Sequence, residues 1–279
     1  MREITREQLI DALRALGLQP GDGLLVHSAI QYLGRPVGGV DAYLGAICAV
    51  INCELRMRDG DTRYLEDNSQ FLIPNSPLLT GTLAVPTFNF AFARGEPYDP
   101  QTTPSQDMGA FSEYVRQHPG AQRTSHPMQS LAVIGRHAAD LADRDTSSAF
   151  DPGSAFERML ELGFKLLLLG ADVQAVSMVH YSEQRAGVPY RYWKDFTGQV
   201  KTPTGWQART YRMFVRNLEL DPQLDLHPIQ ALLEGRGQWR SQPVNYGTVA
   251  CCHLADFVQA ADDILAQNPW GLVKSKVEG

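Results

Sequence analysis

Lys165-Leu166-Leu167-Leu168-Leu169-Gly170-Ala171-Asp172 is the stretch on which the fold turns. Four consecutive leucines are far too few to span a bilayer. They read instead as a short apolar strand, with Gly170-Ala171-Asp172 as the loop at its end. Working outward, the same kind of run recurs at Leu24-Leu25-Val26-His27 after the turn Gly21-Asp22-Gly23, at Thr82 to Val85 and at Leu131 to Ile134. Helical patterns of about ten residues alternate with these runs, near Met108 to Gln117, Ala138 to Asp143 and Ser154 to Leu162. Such alternation implies an α/β sheet with covering helices. The loops at strand ends of such sheets are where ligands bind.

The ends of the chain follow the same logic. Thr5 and Gln8 have capping-box spacing, Leu9, Ile10, Leu13 and Leu16 form one apolar stripe, and Gly17 offers a left-handed stop. A second helical pattern follows Gly38-Gly39 through Ala42, Ala46, Ala49 and Val50, and a last one runs from Leu254 through Phe257, Val258 and Ala261 to Leu265. Two regions break the rhythm. Glu54 to Thr80 is polar and turn-rich and reads as an insertion. From Val200 onward strand-like runs such as Tyr211 to Val215 take over. The expectation is one domain over residues 1–279, with a main part (1–198) carrying the insertion at 54–80 and a smaller C-terminal subdomain (199–279).

Bulk properties narrow the function. With 43% hydrophobic and 20% charged residues, 279 residues suffice for a large core without a metal or disulfide staple. The net charge of −6 argues against nucleic acid, which needs clustered Lys and Arg. Cys48, Cys53, Cys251 and Cys252 contain no Cys-x-x-Cys pair, so buried reduced thiols are expected. Met1-Arg2-Glu3-Ile4 lacks a signal peptide's apolar run, and the reading is a cytoplasmic protein with no membrane partner.

Three clusters carry chemistry. In Arg123-Thr124-Ser125-His126-Pro127-Met128-Gln129-Ser130 a histidine is locked into a short turn by proline among polar neighbours, a place to hold a general base. His180 and Glu183, in His180-Tyr181-Ser182-Glu183, share one helix face. The pair suits a carboxylate-oriented imidazole, a cation-receiving carboxylate or, less completely, a metal. His27-Ser28-Ala29 closes a buried strand, where amides and a hydroxyl can meet phosphate or amide groups. No phosphate-loop, dinucleotide-binding or nucleophile-elbow motif is present.

Taken in order, these motifs resemble the aminoglycoside 3-N-acetyltransferase, or antibiotic N-acetyltransferase, family. The resemblance runs through Gly21-Asp22-Gly23-Leu24-Leu25-Val26-His27-Ser28, Val37-Gly38-Gly39, Ala84-Val85-Pro86-Thr87-Phe88, Tyr98-Asp99-Pro100, Thr103-Pro104-Ser105 and Met108-Gly109. It continues through Arg123 to Ser130, Phe150-Asp151-Pro152-Gly153-Ser154, Lys165 to Gly170 and His180 to Glu183, with a weaker echo at Gly247-Thr248-Val249. It implies a layered α/β/α fold: a central mixed sheet, covering helices and a smaller C-terminal α+β part.

It also implies acetyl transfer from acetyl-coenzyme A to a primary amine of an aminoglycoside or related amino sugar, with no metal. In that frame His126 is the base, and Glu183, beside His180, orients the amine or the histidine. His27, Ser28, Ala29, Ser125 and Ser130 line the coenzyme, and Arg123 meets its phosphate. Asp99, Asp172 and Glu183 face the acceptor, and a homodimer is an open option. The Glu54 to Thr80 insertion and His253, which stands where the family usually has arginine, are departures expected to reshape the acceptor pocket. The competing readings are a metal-dependent hydrolase using His27, His126, His180 and Glu183, and a non-catalytic coenzyme-binding relative.

Overall fold

Strand alternation sends Leu24 and Val26 to one side of a sheet and Leu25 and His27 to the other, and this two-sided burial organises the molecule. The structure is a computed structural model that describes residues 2–53 and 80–274. In chain order the described elements are β1 (Glu3–Ile4), α1 (Arg6–Ala15), β2 (Gly23–Ser28), β3 (Arg35–Pro36), α2 (Asp41–Ile51), β4 (Thr82–Pro86), α3 (Gly109–Arg116), β5 (Gln122–Arg123) and β6 (Leu131–Gly135). They continue with α4 (Ala138–Ala142), α5 (Ala155–Glu161), β7 (Lys165–Leu169), α6 (Val179–Ala186), β8 (Arg191–Thr202), β9 (Gly205–Arg216), α7 (His227–Gly235), β10 (Arg240–Val244), β11 (Gly247–His253) and α8 (Leu254–Gln267).

A seven-stranded sheet runs in the order β10-β11-β7-β2-β4-β6-β5. Its centre, β7-β2-β4, is parallel and its flanks are antiparallel, so the sheet is mixed as expected. Leu24, Val26, Leu83, Val85, Leu167 and Leu169 pack with α1, α2 and α3. Leu25, Ala84, Leu166 and Leu168 pack with α4 through α8 on the other face. The result is three layers. Cys251 and Cys252 obey the same alternation, one on each face, and all four cysteines are free and buried. The capping box at Thr5 and Gln8 forms, and Gly17 takes φ +80° at the helix stop.

The topology collects several chain ends at one edge. Parallel pairing puts the C-terminal ends of β2, β4 and β7 together. Antiparallel pairing of Leu131 with Pro86 and of Val249 with Leu169 adds the entries to β6 and β11. His27, the Pro127–Gln129 turn and the loop after Leu169 therefore meet there. Gly170 makes that loop possible. It has φ +75°, and a Cβ would come within 2.6 Å of the Ala29 carbonyl oxygen.

The expected boundary at 198/199 does not describe the molecule. It falls inside β8, and the residues beyond it complete the main sheet through β11 and the main core through α8. What stands apart is the β8–β9 hairpin, paired along twelve positions and docked through Val200 and Tyr211 onto Phe92, Tyr98 and Met128. The change of character near Val200 marks the exposed faces of that hairpin. The expected insertion lies, apart from Thr80, outside the described residues. No helix among the described residues is long and apolar enough to cross a membrane.

Candidate active site

Helix α6 starts just beyond the edge at which those strand ends collect, and its three-residue spacing stacks His180 over Glu183. His180 Nδ1 lies 2.6 Å from Glu183 Oε2. Glu183 is fully buried, whereas 29% of the His180 side chain is accessible. Burial alone would raise the Glu183 carboxyl. The His180 hydrogen bond and the charges of His180 and Arg191 outweigh it and hold the group below the usual carboxylate range. Arg191, at the start of β8, brings Nε to 2.9 Å from Glu183 Oε1, an ion pair without the alignment of a hydrogen bond. Its Nη1 donates to the Phe214 carbonyl at 3.1 Å, and its Nη2 sits 3.2 Å from His180 Nδ1. The shorter carboxylate contact places the His180 proton on Nδ1, leaving the Nε2 lone pair to exchange protons. Burial, then the Glu183 charge, push the Tyr190 phenol up, so it stays neutral beside the pair.

His180 opens onto a cleft of about 600 Å³. Its apolar walls include Phe88, Phe90, Met108, Val176, Val179 and Phe214, and its polar lining includes His27, Gln129, Gln174, Ser177, Arg191 and Arg216. Burial, aided by the His180 charge, pushes His27 down to about 3, so that ring is neutral. Its Nε2 lies 3.4 Å from both the Ser177 amide and hydroxyl, and accepting the amide N–H ties β2 to the loop before α6. A carboxylate-backed imidazole at an apolar cleft wall is a proton acceptor with restricted water access.

Residues 25–266 match the family model described as aminoglycoside 3-N-acetyltransferase. The chain belongs to that family. An aminoglycoside N(3)-acetyltransferase III from Salmonella sp is 31% identical to it over 191 residues, covering 68% of this chain and 63% of that protein. An aminoglycoside N(3)-acetyltransferase VII from Streptomyces paromomycinus is 30% identical over 196 residues, covering 69% and 65%. The chain thus matches only 63–65% of the length of these curated relatives. In fold, it resembles AAC-IIIb, solved as a binary complex with CoASH, at a TM-score of 0.77 and 23% identity over 95% of this chain and 97% of that one. The layered architecture is that of the aminoglycoside acetyltransferases.

Within this family frame the expected residues separate into two groups. His27, His180 and Glu183 come together. His126 does not line the cleft. It caps the Pro127–Gln129 turn, Nδ1 accepting from the Gln129 amide at 3.2 Å, and its ring meets Tyr211 edge-on at 5.0 Å under the hairpin. Nε2 is buried without a hydrogen-bond partner, and burial pushes the ring down to about 4. His126 is a packed, neutral capping residue that holds Gln129, itself part of the cleft wall. Its expected role as the base is corrected on that ground.

Apart from His27, the expected coenzyme set does not line the cleft. The Arg123 guanidinium binds Thr87 Oγ1 and Ser130 Oγ through Nε, each at 3.1 Å, donates to the Thr87 and Thr103 carbonyls, and stacks on Tyr98. With a further Nη1 contact to the Pro100 carbonyl at 3.5 Å, four of its five N–H groups are turned to partners inside the protein. Ser130 is buried and donates to the Thr87 carbonyl at 2.8 Å. The Ala29 amide donates to Leu169, and neither Ser28, Ala29 nor Ser125 lines the cleft.

Asp99 closes its own turn, accepting from the Gln101 amide. Asp172 caps the turn at Val173–Ala175 and borders a different cavity, of about 520 Å³. His253 pairs with Lys165 at the opposite edge of the sheet, away from the cleft. Among the described residues no group of three or more His, Cys, Asp or Glu is placed to hold a metal, and His126 stands apart from His27 and His180. The residues that sequence reasoning missed are Arg191, Tyr190, Ser177 and Phe214; Phe88 and Phe90, read from the sequence as aromatic lining after the Thr82 to Val85 strand, do line the cleft. None of the missed residues carried a sequence signal: Arg191, eight positions after Glu183, has no spacing that ties it to that residue.

Proposed function

We propose that the chain transfers an acetyl group from acetyl-coenzyme A to a primary amine of the amino-sugar class, with His180 as general base and Glu183 as its positioning partner. The observation that carries this reading is the 2.6 Å contact between His180 Nδ1 and a buried carboxylate at the cleft wall. Family membership supplies the reaction class. The cleft suits a pantetheine arm: Phe88, Met108 and Val176 would pack along it, and the Gln129 and Gln174 amides would meet its amide groups. When bound, acetyl-coenzyme A supplies the activated acyl carbonyl.

The chain's own residues do the rest. His180 Nε2 takes a proton from the acceptor nitrogen as it attacks and gives it to the coenzyme sulfur as the C–S bond breaks, so that an amide and a free thiol leave; Nδ1–H stays hydrogen-bonded to Glu183, whose charge stabilises the transient imidazolium. Arg191 keeps Glu183 ionised. The aromatic walls exclude water, which favours the amine over hydrolysis. Direct attack needs no covalent enzyme intermediate, and holding acceptor and base together contributes much of the acceleration.

The test is free-thiol release from acetyl-coenzyme A by chelator-treated protein offered aminoglycosides, amino sugars and nucleotide-linked amino sugars. Amine-dependent release is expected. Release that requires added metal would favour the hydrolase, and coenzyme binding with no release for any amine would favour a non-catalytic relative.

A further inference from the structure

Among the described residues, the side chains lining the His180 cleft that carry a full charge are Arg191 and Arg216, both positive. Among the described residues the cleft's ionisable lining is His27, His180, Arg191 and Arg216, with no Asp or Glu. Glu183 neutralises Arg191. Arg216 is left over: it is exposed and has no ion pair among the described residues. Several other arginines are paired: Arg116 with Glu113, Arg144 with Asp140 and Arg236 with Asp263. Moreover, β8–β9 register sets Arg216 directly opposite Arg191. Like charges at facing positions of an antiparallel pair are destabilising, a cost that the Glu183–Arg191 ion pair reduces here. Glu219 and Asp221 border the neighbouring cavity, which shares Pro222 with this cleft.

A polycationic acceptor entering this cleft meets a guanidinium with no ion pair among the described residues, and the two repel. A negative group meets the reverse. We infer that the acceptor is an amine that also carries a phosphate or carboxylate, and that Arg216 binds that group through the paired donors of its guanidinium. The inference rests on the acetyl-transfer reading of the same cleft and sets the acceptor class within it.

The experiment compares glucosamine, glucosamine 6-phosphate and neamine as acceptors at saturating acetyl-coenzyme A, for the parent, R216Q and R216E, with calorimetric binding of each amine in parallel. The expected result is a preference of at least about tenfold in kcat/KM for the phosphorylated sugar over glucosamine, weakening with added salt. R216Q should remove that preference through the acceptor KM, leave the acetyl-coenzyme A KM unchanged, and melt no lower than the parent. R216E should turn the preference toward neamine.

Neamine used as well as or better than glucosamine 6-phosphate by the parent overturns the inference. So does R216Q raising only the acetyl-coenzyme A KM, which assigns Arg216 to the coenzyme, and so does a clear drop in melting temperature with the preference intact. If no amine releases thiol yet glucosamine 6-phosphate binding still weakens in R216Q, the acetyl-transfer reading fails and the anion site stands.

Discussion

Glu183 is the residue whose chemistry is most constrained. It is a fully buried carboxylate held between an imidazole and a guanidinium. Replacing it with glutamine keeps the shape but removes the charge that supports an imidazolium at His180. Glu183→Gln should lower kcat by at least about tenfold with little effect on the acetyl-coenzyme A KM. It should also cost roughly 3 kcal/mol or more of stability, because Arg191, 10% accessible, is left buried and uncompensated. Steady-state kinetics with a urea titration checks both, and an unchanged kcat would remove Glu183 from the proton path. The His180–Glu183 pair was legible because helical spacing alone brings i and i+3 together. Arg191 was not, because it reaches Glu183 only through the turn between α6 and β8.

At the scale of elements, the β8–β9 hairpin explains most of what sequence reasoning misjudged. One strand supplies Tyr211 to the anchor over His126 and Met213, Phe214 and Val215 to the cleft wall. Tyr211 is buried against His126 and Phe92, and its hydroxyl donates to Asp145 at 3.0 Å. Tyr211→Ala should cost about 3–5 kcal/mol and, by loosening the wall, raise the acceptor KM. A melting temperature equal to the parent's would show that the hairpin docks without this anchor. His126 looked like a base because its neighbours in sequence are polar. Its burial depends on Tyr211, far along the chain, which no local pattern reveals. The strands and helices were readable since each carries its own period: Lys165–Leu169 and the α1 capping box needed no tertiary information.

For the molecule as a whole, two buried neutral histidines set the response to acid. A histidine in the unfolded chain titrates near pH 6.5, as estimated from model peptides. His27 is pushed down to about 3 and His126 to about 4 by burial. Between those values the unfolded chain binds protons that the fold refuses. Stability is therefore full above the unfolded value and falls as pH drops below it, by up to about 1.4 kcal/mol per pH unit per histidine. Glu183, held low, adds loss in the same direction further down. The urea midpoint should decline steadily from pH 6.5 toward 4.5, and His126→Asn, which can still cap the Pro127–Gln129 turn, should flatten the decline. A midpoint independent of pH over that range would mean that neither ring is held neutral by the fold.

The central claim is that the proton acceptor is the ring on α6 and not the one beneath the hairpin. The most direct measurement is kcat for His180→Ala and His126→Ala side by side, under saturating acetyl-coenzyme A and acceptor, at a temperature where both variants are folded. A loss of at least about a hundredfold is predicted for His180→Ala, with His126→Ala staying within about threefold of the parent. A hundredfold loss at His126 with His180→Ala near parent activity would contradict the account.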